Sequence, residues 1–201
     1  MAFINVFLRA TLRSECFGVL ARLFSLMVML FATGAATAQV PRAGSLEIQV
    51  KAAYLYKFGN YIEWPARVFS TADSPLVIGV MGADAMSDEL ARVVTGRAIN
   101  GRSLVVHKVK RGDPVTGLHV LFIGKQLEGA RLTDVVDAAR GLALLTVTEV
   151  DDGLAIGSMI NFVEVGGKLR FEIAPRTAGL GELVISARLL AAAHKVIGAP
   201  P

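Results

Sequence analysis

The chain has 201 residues, 53% hydrophobic and 19% charged, with a formal net charge of +4. That length supports one domain with a substantial core. A charged share below the usual value of about 25% argues against disorder.

Much of the apolar excess lies in residues 1–38. Arg9, Arg13 and Arg22 precede the apolar run Leu23–Phe31, and Ala36-Thr37-Ala38 follows. A basic region, a short apolar core and an Ala-x-Ala site define a secretory signal peptide, with cleavage expected after Ala38. The alternative, an uncut anchor, meets an apolar core shorter than the roughly 20 residues a spanning helix needs. Cleavage removes three Arg and one Glu and leaves 18 basic against 16 acidic residues, a net +2. So weak and scattered a charge excludes a nucleic-acid footprint. The single cysteine, Cys16, leaves with the signal. The exported chain then has no disulfide, thiol nucleophile or thiolate metal ligand, and no lipid anchor on that cysteine.

Residues 39–44 read as a flexible leader to a single domain over 45–201. Ser45 is a candidate cap for a helix over 46–60, closed near Gly59-Asn60. Ile48, Ala52, Leu55 and Ile62 form one stripe, and Val50, Tyr54 and Phe58 a second beside it. Tyr54, Tyr56, Phe58, Tyr61 and Trp64 concentrate here, closed by Pro65. Such rings either pack a helix onto a sheet or anchor a partner or dimer contact; both readings stand on sequence alone.

The stretch Leu76–Asp84, Leu-Val-Ile-Gly-Val-Met-Gly-Ala-Asp, runs apolar without alternation, as a strand buried on both faces does. Asp84 is the expected cap of a helix to Val94 with Met86, Leu90, Val93 and Val94 on one face. A turn at Asn100-Gly101 leads to a strand over 103–109, and Val120–Ile123 is a third buried strand. A helix over 128–140 and a strand over 142–147 follow. Helical crossovers between buried strands predict an α/β three-layer sandwich, its sheet largely parallel with helices on both faces.

Asp151-Asp152-Gly153 and Gly157 read as a loop. Gly166-Gly167 between the alternating runs 159–165 and 168–174 predicts a two-residue hairpin. Paired residue numbers then sum to 333, placing Phe162 opposite Phe171 and Ile160 opposite Ile173, with the hairpin as an antiparallel edge. Pro175 ends it, and a last helix is expected over 184–197, or from two or three residues later if Ser186 is its cap.

Catalytic and cofactor patterns are weak. Gly79 and Gly82 lack the third glycine of a dinucleotide loop, and His107-Lys108 stand where a ribose-binding acid belongs. His107, His119 and His194 lack metal-site spacing, although the first two could lie on adjacent strands. Ser158 follows Gly157 outside any Gly-x-Ser-x-Gly. The expectation is a protein that is not an enzyme and carries no cofactor or metal.

Lys51-Ala52-Ala53-Tyr54-Leu55-Tyr56-Lys57-Phe58 followed by Glu63-Trp64-Pro65 resembles the opening signature of the YfiR-like family of exported proteins. So do the strands Leu76–Gly82 and His119–Gly124, the run Gly157–Phe162, Arg170–Ile173, and the tail with Gly179-Leu180, Ile185-Ser186 and Leu189-Leu190. The resemblance covers about residues 48–197. It implies a periplasmic α/β sandwich that represses an inner-membrane diguanylate cyclase by contact with the cyclase's periplasmic domain, lowering cyclic di-GMP and biofilm formation. It also implies that homodimers can form. The best-known members carry disulfides, which this chain without mature cysteines departs from, and Ala174-Pro175 stand where many relatives have Asn. Two other functions remain open. One is a small-ligand sensor using the crevice beyond the C-terminal ends of Leu76–Met81 and Val120–Ile123. The other is an accessory protein of an outer-membrane receptor.

Overall fold

The computed structural model describes residues 43–198; the proposed signal peptide lies outside them. Helix α1 (Ala43–Phe58) runs into a 3-10 turn, Gly59–Tyr61, so Ser45 sits within the helix instead of capping it. Strand β1 (Ile62–Glu63) follows, then β2 (Leu76–Met81), α2 (Asp84–Val94), β3 (Ala98–Ile99), β4 (Arg102–Val109), β5 (Val120–Ile123) and α3 (Ala130–Ala139). The chain continues with β6 (Leu145–Thr148), α4 (Gly153–Ile156), β7 (Ile160–Val165), β8 (Lys168–Ile173), α5 (Pro175–Leu180), β9 (Val184–Ile185), α6 (Ala187–Ala192) and β10 (Lys195–Val196).

Eight strands form one sheet in the order β10-β8-β7-β6-β5-β2-β4-β3, parallel except for β7–β8 and β3–β4. The continuous apolar runs of β2 and β5, and the Leu-Thr-Val-Thr of β6, are buried because helices cover both sides. Alternation then divides each strand between two cores. Val120 and Phe122 join Ile78, Val80, Val147, Leu55, Phe58 and Leu90 on the α1/α2 face. Leu121 and Ile123 join Met81, Leu132, Val136 and Ala139 on the α3 face. These are the three layers of the α/β sandwich expected from the sequence.

The hairpin has the expected register, Ile160↔Ile173, Asn161↔Glu172, Phe162↔Phe171 and Val163↔Arg170. Gly166 and Gly167 hold φ of 59° and 70°, the left-handed pair that a two-residue turn between right-twisted strands requires. It is not the outermost element, because β10 pairs with β8 beyond it.

Four local readings change and one, Pro175 closing the hairpin, is extended. Asp84 is the first helical residue and its carboxylate caps nothing; Ala83 holds the cap position. The Asp152–Gly157 loop contains the short α4. Pro175 starts α5, since a proline at the first helical position has no N–H to lose. The single tail helix is instead β9, α6 and β10, with Ser186 Oγ capping α6 at the Leu189 N–H. His107 and His119 are not on neighbouring strands, because β2 lies between β4 and β5.

Candidate functional site

The five aromatic residues do not share one surface. Phe58 is 1% exposed and belongs to the core. Its ring centroid lies 5.8 Å from Phe162 and 5.1 Å from Phe171, and half-buried Tyr54 lies 5.6 Å from Phe171. These rings bind α1 to the β7–β8 hairpin, with edge-to-face and offset geometry that adds to their burial. Half-buried Tyr56 lies under the Arg97 guanidinium, 5.0 Å from its ring. Trp64 donates its indole N–H to the His119 carbonyl at 3.1 Å. Tyr61 alone is exposed, and its carbonyl accepts the Ser186 N–H at 2.9 Å, next to the β1–β9 pairing. Val184 and Leu180, also strongly exposed, lie in β9 and α5.

The opposite end of α1 carries a charged site. Lys51 precedes Ala52, Leu55 and Phe58 on the buried side of the helix and is 4% exposed. Its ammonium donates to Glu47, one turn earlier, and to Glu149, just past the end of β6. Burial by itself lowers the Lys51 pKa, but the hydrogen bonds to Glu149 and Glu47 outweigh it and the net shift is upward. The Lys51 hydrogen bond in turn holds the Glu47 carboxyl below its ordinary range. The other Glu149 oxygen accepts the Lys125 backbone N–H at 3.1 Å, just past β5. Glu149 thus ties the ends of β5 and β6 to α1.

Around this triad opens a crevice of about 470 Å³. Leu46 and Val50 of α1 form one wall, Phe162 and Leu169 of the hairpin another, and Lys51, Lys125 and Glu149 the charged end. A second hollow of about 610 Å³ continues past Lys125 and Glu149 to Asp151, Asn161 and Lys195. The opening lies beyond β5 and β6. At the ends of β2 and β5 the two loops close on each other, where Gly124 donates to the Met81 carbonyl at 2.9 Å and no Cβ at Gly124 would clear Gly82 and Ala83. Gly79 is packed under Leu118 and Val109 within the sheet, not in a phosphate-binding turn.

The floor of the second hollow is built from buried polar groups. Asn161 accepts from Thr148 Oγ1 at 2.8 Å and from the Val150 N–H at 3.3 Å, and donates to the Val150 carbonyl at 2.9 Å. It satisfies the backbone where β6 leaves the sheet. Gly153 packs so tightly on Thr148 and Asn161 that a Cβ would overlap both.

The profile of the YfiR/HmsC-like family matches residues 48–194. The chain belongs to this family. No curated protein matches the chain. The family's span starts three residues before Lys51 and ends one before Lys195, so it takes in Lys51 and Glu149 but not Glu47, together with the aromatic cluster and the whole sheet apart from β10. Family membership points to a regulator acting in the periplasm. Among the described residues no helix is long and apolar enough to cross a membrane.

Sequence reasoning missed Lys51 and Glu149 as a site. A signal was present: a lysine four and seven residues before Leu55 and Phe58 sits on their stripe, and a buried lysine demands a carboxylate. Its principal partner, however, lies 98 residues away.

Proposed function

We propose that this protein is exported, cut after Ala38, and regulates an inner-membrane diguanylate cyclase by binding the cyclase's periplasmic domain and holding the enzyme off. The observation that carries the reading is the match to the YfiR/HmsC-like family across nearly the whole described domain. The architecture is compatible with it: a rigid sandwich with an aromatic-rich first helix needs no catalytic constellation to bind a partner. Of the aromatic residues we assign to contact, Tyr61 offers surface directly, beside β9. Tyr56 and Trp64 offer partial faces, and Tyr54 and Phe58 support the contact from within. Mixing the chain from Gln39 onward with the periplasmic domain of a diguanylate cyclase should give a complex at micromolar concentrations that Tyr61→Ala weakens. Absence of any complex overturns the reading.

A second reading, a small-ligand sensor, is favoured by the Lys51–Glu149 crevice. Its volume falls in the range of ligand sites, and apolar walls meet a few fixed polar groups. Thermal shifts against a panel of nucleotides, amino acids and sugars test it, and a flat response removes it. Proteins encoded beside outer-membrane receptors form a third context, for which gene neighbourhood is the discriminator.

A further inference from the structure

We infer that the outer edge of β4 accepts an extended acidic segment of another protein as an added strand; this goes beyond the regulatory reading and does not require the partner to be a cyclase.

The direction of the backbone groups follows from the register. Val77 and Met81 direct their carbonyls to β5, accepting from His119 and Gly124 at 2.9 Å. Because strands alternate, Leu76, Ile78 and Val80 face β4. They lie opposite Leu104, Val106 and Lys108, and in a parallel ladder each bonds to the residues flanking its partner. Leu104, Val106 and Lys108 therefore turn their own N–H and C=O groups away from β2. Strand β3 takes up only Arg102 and Ser103 on that side. Among the described residues no strand pairs with Leu104–Val109 along the outer edge.

The edge has room for an occupant. Ser103, Val105 and His107 are exposed on one side of β4, Val105 by 36%. A groove of about 590 Å³ runs between the last turn of α2, at Ala91, Val94 and Thr95, and Ser103–Val106. An unpaired, partly apolar edge is a template for strand addition.

Charge selects the occupant. Residues 102–111 read Arg-Ser-Leu-Val-Val-His-Lys-Val-Lys-Arg, without an acid. Arg102 is turned inward onto the carbonyls of Thr71, Ala72 and Ser74, and Lys108 pairs with Asp88 at 2.8 Å. Asp113 accepts the Lys110 backbone N–H. Lys110 and Arg111 carry the surplus at the open end of the strand. Two copies of such an edge repel each other, whereas an extended segment with Asp or Glu at alternate positions is attracted.

The test uses the purified protein and a labelled eight-residue peptide of alternating Val and Glu, with a Val/Lys peptide as counterpart. The acidic peptide should bind, more weakly as salt rises, and should slow amide exchange at Leu104, Val106 and Lys108. Lys108→Pro removes an outward donor and should weaken binding by about tenfold or more, while Lys108→Ala costs much less. The pair Lys110→Glu and Arg111→Glu, outside the strand, should reverse the preference between peptides even if the proline variant does not fold. Equal binding of both peptides, protection confined to α1, or self-association that protects the same amides overturns the inference.

Discussion

Lys51 shows how one side chain couples three elements. Its two carboxylates are the reason a lysine is tolerated 4% exposed at the end of an apolar helix stripe. Lys51→Met leaves Glu149, itself largely covered, without its partner, and should cost about 3 kcal/mol in urea unfolding. Adding Glu149→Gln should recover part of that loss, because the stranded charge goes with it. The pH dependence follows from the direction of the shifts. The raised Lys51 pKa stabilises the fold fully below the ordinary lysine pKa, and that contribution disappears as pH rises through the folded value. The lowered Glu47 pKa acts at the other end, its contribution being lost as pH falls through the acidic range. His119 behaves differently. It is buried, its Nδ1 accepts the Val77 N–H at 3.0 Å, and its ring stacks on Phe69 at 4.5 Å. Burial pushes its pKa down, with the Arg102 charge adding to the effect and the Val68 backbone opposing it. The neutral form is favoured by folding, so stability is complete above the ordinary histidine pKa and falls as pH drops below it. Melting temperature measured from pH 7.5 to 5 should decline in the wild type and decline less in His119→Phe; equal slopes would contradict this.

At the scale of elements, the hairpin and the β6–β7 junction carry the most concentrated interactions. Phe171 meets Tyr54 and Phe58, and Phe171→Ala should cost about 3–5 kcal/mol. Asn161→Asp is a sharper probe. The amide group that donates to the Val150 carbonyl becomes a carboxylate oxygen facing it, so the near-isosteric change should cost at least as much as Asn161→Ala, about 2–3 kcal/mol. A smaller loss in the aspartate variant, by chemical denaturation at neutral pH, would contradict the assigned amide orientation. These elements also show what the sequence made legible. Strand β2, helix α2, strand β5 and the hairpin register could be read because their patterns are local: unbroken apolar runs, a 3.6-residue period, and a Gly-Gly turn that fixes pairing. Strands β9 and β10 have two residues each and exist only through pairing with Ile62–Glu63 and Glu172–Ile173, more than a hundred and about twenty residues away. No window of sequence holds that information. The aromatic cluster was visible as a group, but its division into core rings and exposed Tyr61 depends on how α1 rolls onto the hairpin.

For the whole molecule, the proposed task of binding rests on a rigid three-layer sandwich. The two cores hold the sheet fixed from both sides, so contacts made at α1, at the β1–β9 corner or at the β4 edge are presented on a stiff frame. A regulator of this kind acts by differential affinity: it shifts a cyclase only if it binds the inactive arrangement more tightly than the active one. Export belongs to the same scale, and the protein recovered from a periplasmic fraction should begin at Gln39. The most direct measurement is cyclic di-GMP synthesis by a full-length diguanylate cyclase in membrane vesicles, with this protein placed on the periplasmic side. The account predicts a rate that falls and saturates as the protein is added, and that recovers when Tyr61→Ala replaces it. An unchanged rate at saturating folded protein, with cyclases of several types, would contradict it.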